Sequence, residues 1–240
     1  MKIGILLIST NKYHVFLQPL IDSIKKYFFV NNEVTIYLFT DSINDLHGDE
    51  RVNVVQSIIP SYKFPYATLY RYKIFSEAAD LIKTDYIFYS DVDMLFVDHV
   101  GEEILPSDEQ FGINGLTATL HPGFYKGGGS WCTDVRSNAY VQPEYRKKYY
   151  AGGFQGGKKV DYLMACQQLA KNISIDYEHH IMAEWHDESH WNKWVSYRPI
   201  KILDPSYCMV EQEDLRVLWG IDHLSPKLIA LKKEHKEIRS

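Results

Sequence analysis

Four short runs in the first ninety residues are apolar or β-branched at most positions: IGILLIS (3–9), VTIYLFT (34–40), VNVVQSI (52–58) and DYIFYS (85–90). Runs of this length and composition predict strands. Between the first two, Leu20, Ile21, Ile24, Tyr27 and Phe28 recur at helical spacing, and Pro19 must open that helix or kink it. Between the last two, Phe75, Ala78, Ala79 and Ile82 mark a second helix. Strand–helix alternation predicts an α/β fold whose mostly parallel central sheet carries helices on its faces. Ligands then sit at the carboxyl ends of the strands, where Asp91 lies. From about residue 112 the pattern loosens into Gly-rich loops, aromatic pairs and short helices, a sheet edge and active-site wall built onto the first half.

The 240 residues contain no repeat, low-complexity tract or linker, so one domain is expected. The 26 basic and 31 acidic residues, net −5, offer no general attraction for nucleic acid or an anionic membrane, and any anion site must be local. No apolar run is long enough to span a bilayer, and a strand-like segment follows Met1 without a charged leader; a soluble, cytoplasmic chain is expected. Cys132, Cys166 and Cys208 are odd in number and far apart, which fits a reducing compartment and leaves no CxxC pair for zinc.

In YIFYSDVDMLF (86–96) a predicted strand ends in Asp91 and Asp93. Residues i and i+2 of an extended chain point to the same side, about 7 Å apart. Two carboxylates so placed can converge on one hard divalent cation and leave positions for phosphate oxygens. A solvated loop is the plain alternative. A phosphohydrolase of the haloacid dehalogenase type wants the pair after the first strand and a small hydroxyl residue soon after, where Leu95 and Phe96 stand.

Arg71, four residues before Phe75, shares an apolar helix face and needs an anion partner there, unless it snorkels at the helix start. His186 and His190 at i, i+4 invite a zinc reading, but Asp187 stands where HExxH requires glutamate. Asp187 is also a candidate N-cap, placing Glu188 in a first helical turn whose dipole favours the ionised form. GGFQGGKK (152–159) has P-loop spacing, yet Lys159 occupies the magnesium-binding hydroxyl position, which argues against ATP.

DVDMLFVDHVGEEIL (91–105), LHPGFY (120–125), YYAGGFQGG (149–157) and WHDESHWNKW (185–194) resemble, in order and spacing, the signature blocks of glycosyltransferase family 6, which contains the blood-group A and B transferases and α-1,3-galactosyltransferase. The likeness runs from about residue 3 to residue 239. It implies a single GT-A domain with a nucleotide-binding half over 1–95, a donor-sugar and acceptor half over 96–225 and a basic lid over 226–240. It also implies transfer of N-acetylgalactosamine or galactose from a UDP-sugar to the 3-hydroxyl of a galactoside or oligosaccharide acceptor, with retention of configuration.

By that resemblance Asp91 and Asp93 hold Mn²⁺ (or Mg²⁺) on the diphosphate, and Tyr13 stacks on uracil. Ile8, Thr10 and Val92 fall at other donor-lining positions, and Arg71 falls near the donor and its metal acids. Asp187 matches an acid that binds donor-sugar hydroxyls. Glu188 matches the acid beneath the anomeric carbon, as nucleophile or ion-pair stabiliser. Ala151, Gly152 and Gly153 wall the donor sugar, and the small Gly123, Ala151 and Gly153 favour UDP-N-acetylgalactosamine. His121 and Trp185 match acceptor contacts, while Lys233, His235 and Arg239 match tail residues that close over the diphosphate. One departure is Val210, which stands where an acidic acceptor contact is expected, with Glu211 beside it. Animal members begin with a membrane anchor and stem, neither of which is expected here. The competing readings are a UDP-sugar-binding or lectin-like protein without turnover and a divalent-metal phosphohydrolase; Glu188 together with both aspartates favours the transferase.

Overall fold

A computed structural model describes residues 1–107 and 115–233. The four expected strands form as β1 (Ile3–Ser9), β2 (Val34–Thr40), β3 (Val52–Ile58) and β4 (Tyr86–Ser90). They lie in the order β3-β2-β1-β4, all parallel. The interior strand β1 shows why the apolar runs are continuous. Ile3, Ile5 and Leu7 enter one core with Leu17, Leu20, Ile21 and Ile24 of α1 (Leu17–Tyr27), whereas Leu6 enters a second core on the opposite face. Pro19 is the third residue of α1, where its missing N–H would have no intrahelical partner, so it opens the helix without a break.

After α2 (Tyr66–Leu69), α3 (Arg71–Glu77) ends before Ala78, shorter than its apolar spacing predicts. Ile82 is nevertheless fully buried, delivered to the core by a turn.

The larger departure is in the second half. The glycine-rich stretch is a nine-residue strand, β7 (Tyr150–Lys158), that lies inside the sheet antiparallel to β4 and to β6 (Leu116–Leu120). Its glycines are required by close approach. A Cβ on Gly156 would lie 2.3 Å from the Ile87 carbonyl oxygen, and Gly157, at φ +138°, would put one 2.1 Å from the Gly115 carbonyl oxygen. Helix α4 (Lys159–Glu178) follows at once and buries Tyr162, Ala165, Cys166, Leu169 and Ile173 at helical spacing. After α5 (His186–Ser196), β8 (Lys201–Leu203) completes a mixed seven-stranded sheet, parallel to β6. A small sheet of β5 (Met94–Phe96), β10 (Leu228–Ala230) and β9 (Met209–Val210) brings residues 228–231 beside the turn after β4; α6 (Glu213–Trp219) lies between β9 and β10.

Candidate active site

The carboxyl ends of β1 and β4 border a cavity that gathers Ile8, Thr10, Tyr13, Asp91, Val92, Asp93 and Lys233. Its far wall is the segment carrying Tyr62, Phe64 and Thr68, tied down where Thr10 Oγ1 donates to the Tyr62 carbonyl at 3.1 Å.

Asp91 and Asp93 occupy a turn between β4 and β5, not the extended chain the spacing argument assumed. The turn still presents both to the cavity because it is pinned at each end. Asp91 N–H donates to the Gly153 carbonyl (2.9 Å), and Leu231 N–H donates to the Asp93 carbonyl (2.9 Å). Asp91 Oδ1 accepts from the Tyr89 hydroxyl and lies 3.5 Å from Arg71 Nη2. Asp93 Oδ2 pairs with the Lys233 ammonium, which lies 5.1 Å from the Tyr13 ring centroid. Among the described residues, no group of three or more His, Cys, Asp or Glu side chains is placed to hold a metal. Two hard carboxylates suit a cation that takes its other ligands from phosphate and water, as Mg²⁺ commonly does. A cationic group already lies against Asp93, so the charge and donor type of the pair fit such an ion.

Arg71 is 3 % exposed and links this turn to the interior. Its Nε lies 3.0 Å from Asp187 Oδ2, its Nη1 donates to the Gly152 carbonyl at 2.9 Å, and its guanidinium stacks 4.1 Å from the Tyr89 ring centroid. The anion partners demanded by its position on an apolar face are Asp187 and Asp91, and the snorkelling alternative gives way. Burial pushes the Asp187 carboxyl up to about 6 against the pull of Arg71.

Trp185, not Asp187, is the N-cap of α5. Asp187 is drawn inward to Arg71 and cannot turn back to cap, while Trp185 N–H donates to Ser189 Oγ at 3.0 Å. Glu188 does fall in the first turn. Its Oε1 accepts from the Tyr149 hydroxyl and its Oε2 from Gly152 N–H, each at 2.8 Å. Burial pushes its pKa up to about 7 despite these two donors, so the helix dipole does not keep it an ordinary ionised acid.

Ala151, Gly152 and Gly153 belong to β7 and not to a loop. The Ala151 methyl packs in the core. A Cβ on Gly152 would lie 3.4 Å from Glu188 Oε2, and one on Gly153 would lie 3.1 Å from Asp91 Oδ2. At Gly123 the corresponding space meets the His121 ring at 3.3 Å. The room left by these small residues is therefore shared with neighbouring side chains.

His121 Nδ1 accepts from Gly123 N–H (3.1 Å), and burial lowers its pKa to about 4, so the ring is neutral. It packs edge-on to Tyr149, with ring centroids 5.7 Å apart. Trp185 is half exposed, and its Nε1 donates to Ser130 Oγ at 2.5 Å. His186 packs on Phe64 and His190 faces Asp176 at 3.6 Å, so the two histidines take different neighbours. Glu211 Oε2 accepts from Lys232 N–H at 2.7 Å, which ties it to the tail. His235 and Arg239 lie outside the described residues.

Three site residues escaped the sequence reading. Tyr89 sits two residues before Asp91 and supports both Asp91 and Arg71. Tyr149 holds Glu188. Asn192, fully buried, donates from Nδ2 to the carbonyls of Tyr150 (2.8 Å) and Glu188 (3.0 Å) and accepts from Tyr150 N–H (2.8 Å), stitching α5 to β7. Its i+4 spacing from Glu188 was the available signal.

Comparison with known proteins matches the description "Glycosyltransferase family 6" over residues 1–240. The chain is 34% identical over 251 residues to rat histo-blood group ABO system transferase 1, covering 99% of this chain and 68% of that protein. It is 30% identical to dog globoside alpha-1,3-N-acetylgalactosaminyltransferase 1, covering 86% of this chain and 60% of that protein, and 27% identical to the human protein of that name, with 86% and 60% covered. The chain belongs to glycosyltransferase family 6, whose membership implies the GT-A fold and a transferase that takes a sugar from a donor to an acceptor.

Proposed function

We propose that the chain transfers N-acetylgalactosamine, in preference to galactose, from a UDP-sugar to the 3-hydroxyl of a galactoside with retention of configuration, with Mn²⁺ (or Mg²⁺) held by Asp91 and Asp93. The observation that carries the reading is the Arg71 bridge. One buried guanidinium joins Asp91 at the cavity, Asp187, and the Gly152 carbonyl, whose own N–H supports Glu188. Nucleotide-end and sugar-end groups are thereby held in a single rigid unit.

In this reading Tyr13, Ile8, Thr10 and Val92 receive the nucleoside, and Lys233 turns from Asp93 to the diphosphate. When bound, the metal supplies Lewis-acid stabilisation of the charge on the leaving diphosphate. Asp187, fixed by Arg71, accepts hydrogen bonds from donor-sugar hydroxyls. The ionised Glu188 faces the anomeric carbon and stabilises its developing positive charge or bonds to it. His121 and Trp185 orient the acceptor. The preference for N-acetylgalactosamine is supported by the small residues Gly123, Ala151 and Gly153 and by the names of the globoside relatives.

The test is UDP release and product linkage over a panel of galactosides, with each donor, with and without Mn²⁺. The expected result is an α-1,3 product, faster with UDP-N-acetylgalactosamine, and loss of Mn²⁺-dependent UDP binding in D91N/D93N. Nucleotide binding without transfer to any galactoside, or phosphate release without sugar transfer, would overturn it.

A further inference from the structure

We infer that Tyr149 is the positioning residue for Glu188: its hydroxyl proton fixes the plane of the carboxylate and stabilises the ionised form that the reaction uses. The inference rests on the reading of Glu188 as the acid beneath the anomeric carbon.

Glu188 is held by two donors on two different oxygens, Tyr149 Oη on Oε1 and Gly152 N–H on Oε2, both at 2.8 Å. A backbone amide cannot be tuned or moved without moving β7. The phenol is the side-chain partner, and it is built in. Tyr149 is 2 % exposed, and its ring is boxed by Phe124, Trp131 and His121 at centroid distances of 5.0, 5.5 and 5.7 Å. A ring caged on three sides has little freedom to swing its hydroxyl away from Glu188. The same box includes His121, so the wall expected to meet the acceptor is also the support of the acid.

The electrostatic surroundings make one hydrogen bond count. Asp187 opposes ionisation of Glu188, Arg71 favours it, and Cys208 also faces it. Tyr149 itself feels Glu188, Glu184 and Asp187, all negative when ionised, so the phenol keeps its proton and acts as a donor only. His121 is neutral and adds no charge. Burial opposes the charged form of Glu188, and the Gly152 amide, the phenol and Arg71 favour it.

The test compares wild type, Y149F and E188Q in three measurements: kcat against pH with saturating donor and acceptor, UDP affinity by calorimetry, and the Glu188 carboxyl infrared band located by difference from E188Q. A hydrogen bond to a charged group contributes on the order of ten- to a hundredfold in an equilibrium or rate. Y149F is therefore expected to lower kcat by roughly that factor, to move the acidic limb of the profile and the infrared titration upward by about one to two pH units, and to leave UDP affinity unchanged. Y149F with wild-type kcat, or with lower kcat but an unmoved limb and band, overturns the inference, because a packing defect alone would give the latter. If Y149F folds too poorly to assay, the infrared titration of the wild type alone decides. A phenol C–O band that does not shift as Glu188 titrates overturns the inference. E188Q with wild-type turnover would instead sink the assignment of Glu188, a separate failure.

Discussion

Replacing Arg71 with methionine isolates the buried charge network on which the site is built. The substitution keeps a long apolar stem but leaves Asp187, 4 % exposed, without its cation 3.0 Å away, and removes the partner 3.5 Å from Asp91. It also strips the Gly152 carbonyl of a 2.9 Å donor. Removing one member of a buried ion pair typically costs about 3–5 kcal/mol. That is a large fraction of the roughly 5–15 kcal/mol available to a domain.

The loss must depend on pH, and the sign follows from Asp187. Its pKa is raised to about 6 with Arg71 present, because burial outweighs the guanidinium, and must rise further without it. A raised acid pKa makes the folded form bind more protons than the unfolded one between the ordinary carboxylate range and the folded value. The folded state therefore gains stability as pH falls through that window and loses it as pH rises. Urea unfolding of R71M should show the full loss of about 3–5 kcal/mol at pH 8 and clearly less at pH 5.5, where protonation relieves the orphaned acid. R71K, which keeps the charge but not the planar fork, should lie between. Equal losses at both pH values, or a loss below about 1 kcal/mol, would refute the account of Arg71 as the buried counter-charge.

Three further outcomes follow from particular contacts. G153A places a methyl 3.1 Å from Asp91 Oδ2 and 3.4 Å from Cys208 Sγ and Met94 Sδ, so calorimetry should show weaker Mn²⁺-dependent UDP binding at little cost in melting temperature. G157A combines φ +138° with a 2.1 Å clash against a backbone carbonyl inside the sheet and should lower stability by roughly 3 kcal/mol or more in urea melts. K233M removes the ammonium paired with Asp93; Mn²⁺ affinity without nucleotide should rise several-fold, and an unchanged affinity would mean that the two cations do not compete for this carboxylate.

The sequence by itself determined the first half of the fold and pointed to most of the groups that meet in the candidate site. Short apolar or β-branched runs fit buried strands, so β1, β2 and β4 inside the sheet and the half-buried edge strand β3 were legible within a residue, as was the need of Arg71 for an anion. The ordered blocks around Asp91, His121, Gly152 and Glu188 carried the family, because motif spacing survives where overall identity falls to about a third. Tertiary structure alone decided the rest. The run YAGGFQGGK reads as loop in a local window, since glycine has poor intrinsic strand preference; it is an interior strand paired to β4 and β6, and at Gly156 and Gly157 the neighbouring backbones come too close for a Cβ. Asp187 has the local chemistry of an N-cap, but the buried guanidinium of Arg71, brought from the distant helix α3, pulls the carboxylate inward. The raised pKa of Glu188 likewise has no signature in the sequence. The helix dipole is a local effect and can be read from spacing, whereas loss of solvent depends on what the whole chain packs around the carboxylate, and here that desolvation outweighs both the dipole and two hydrogen bonds.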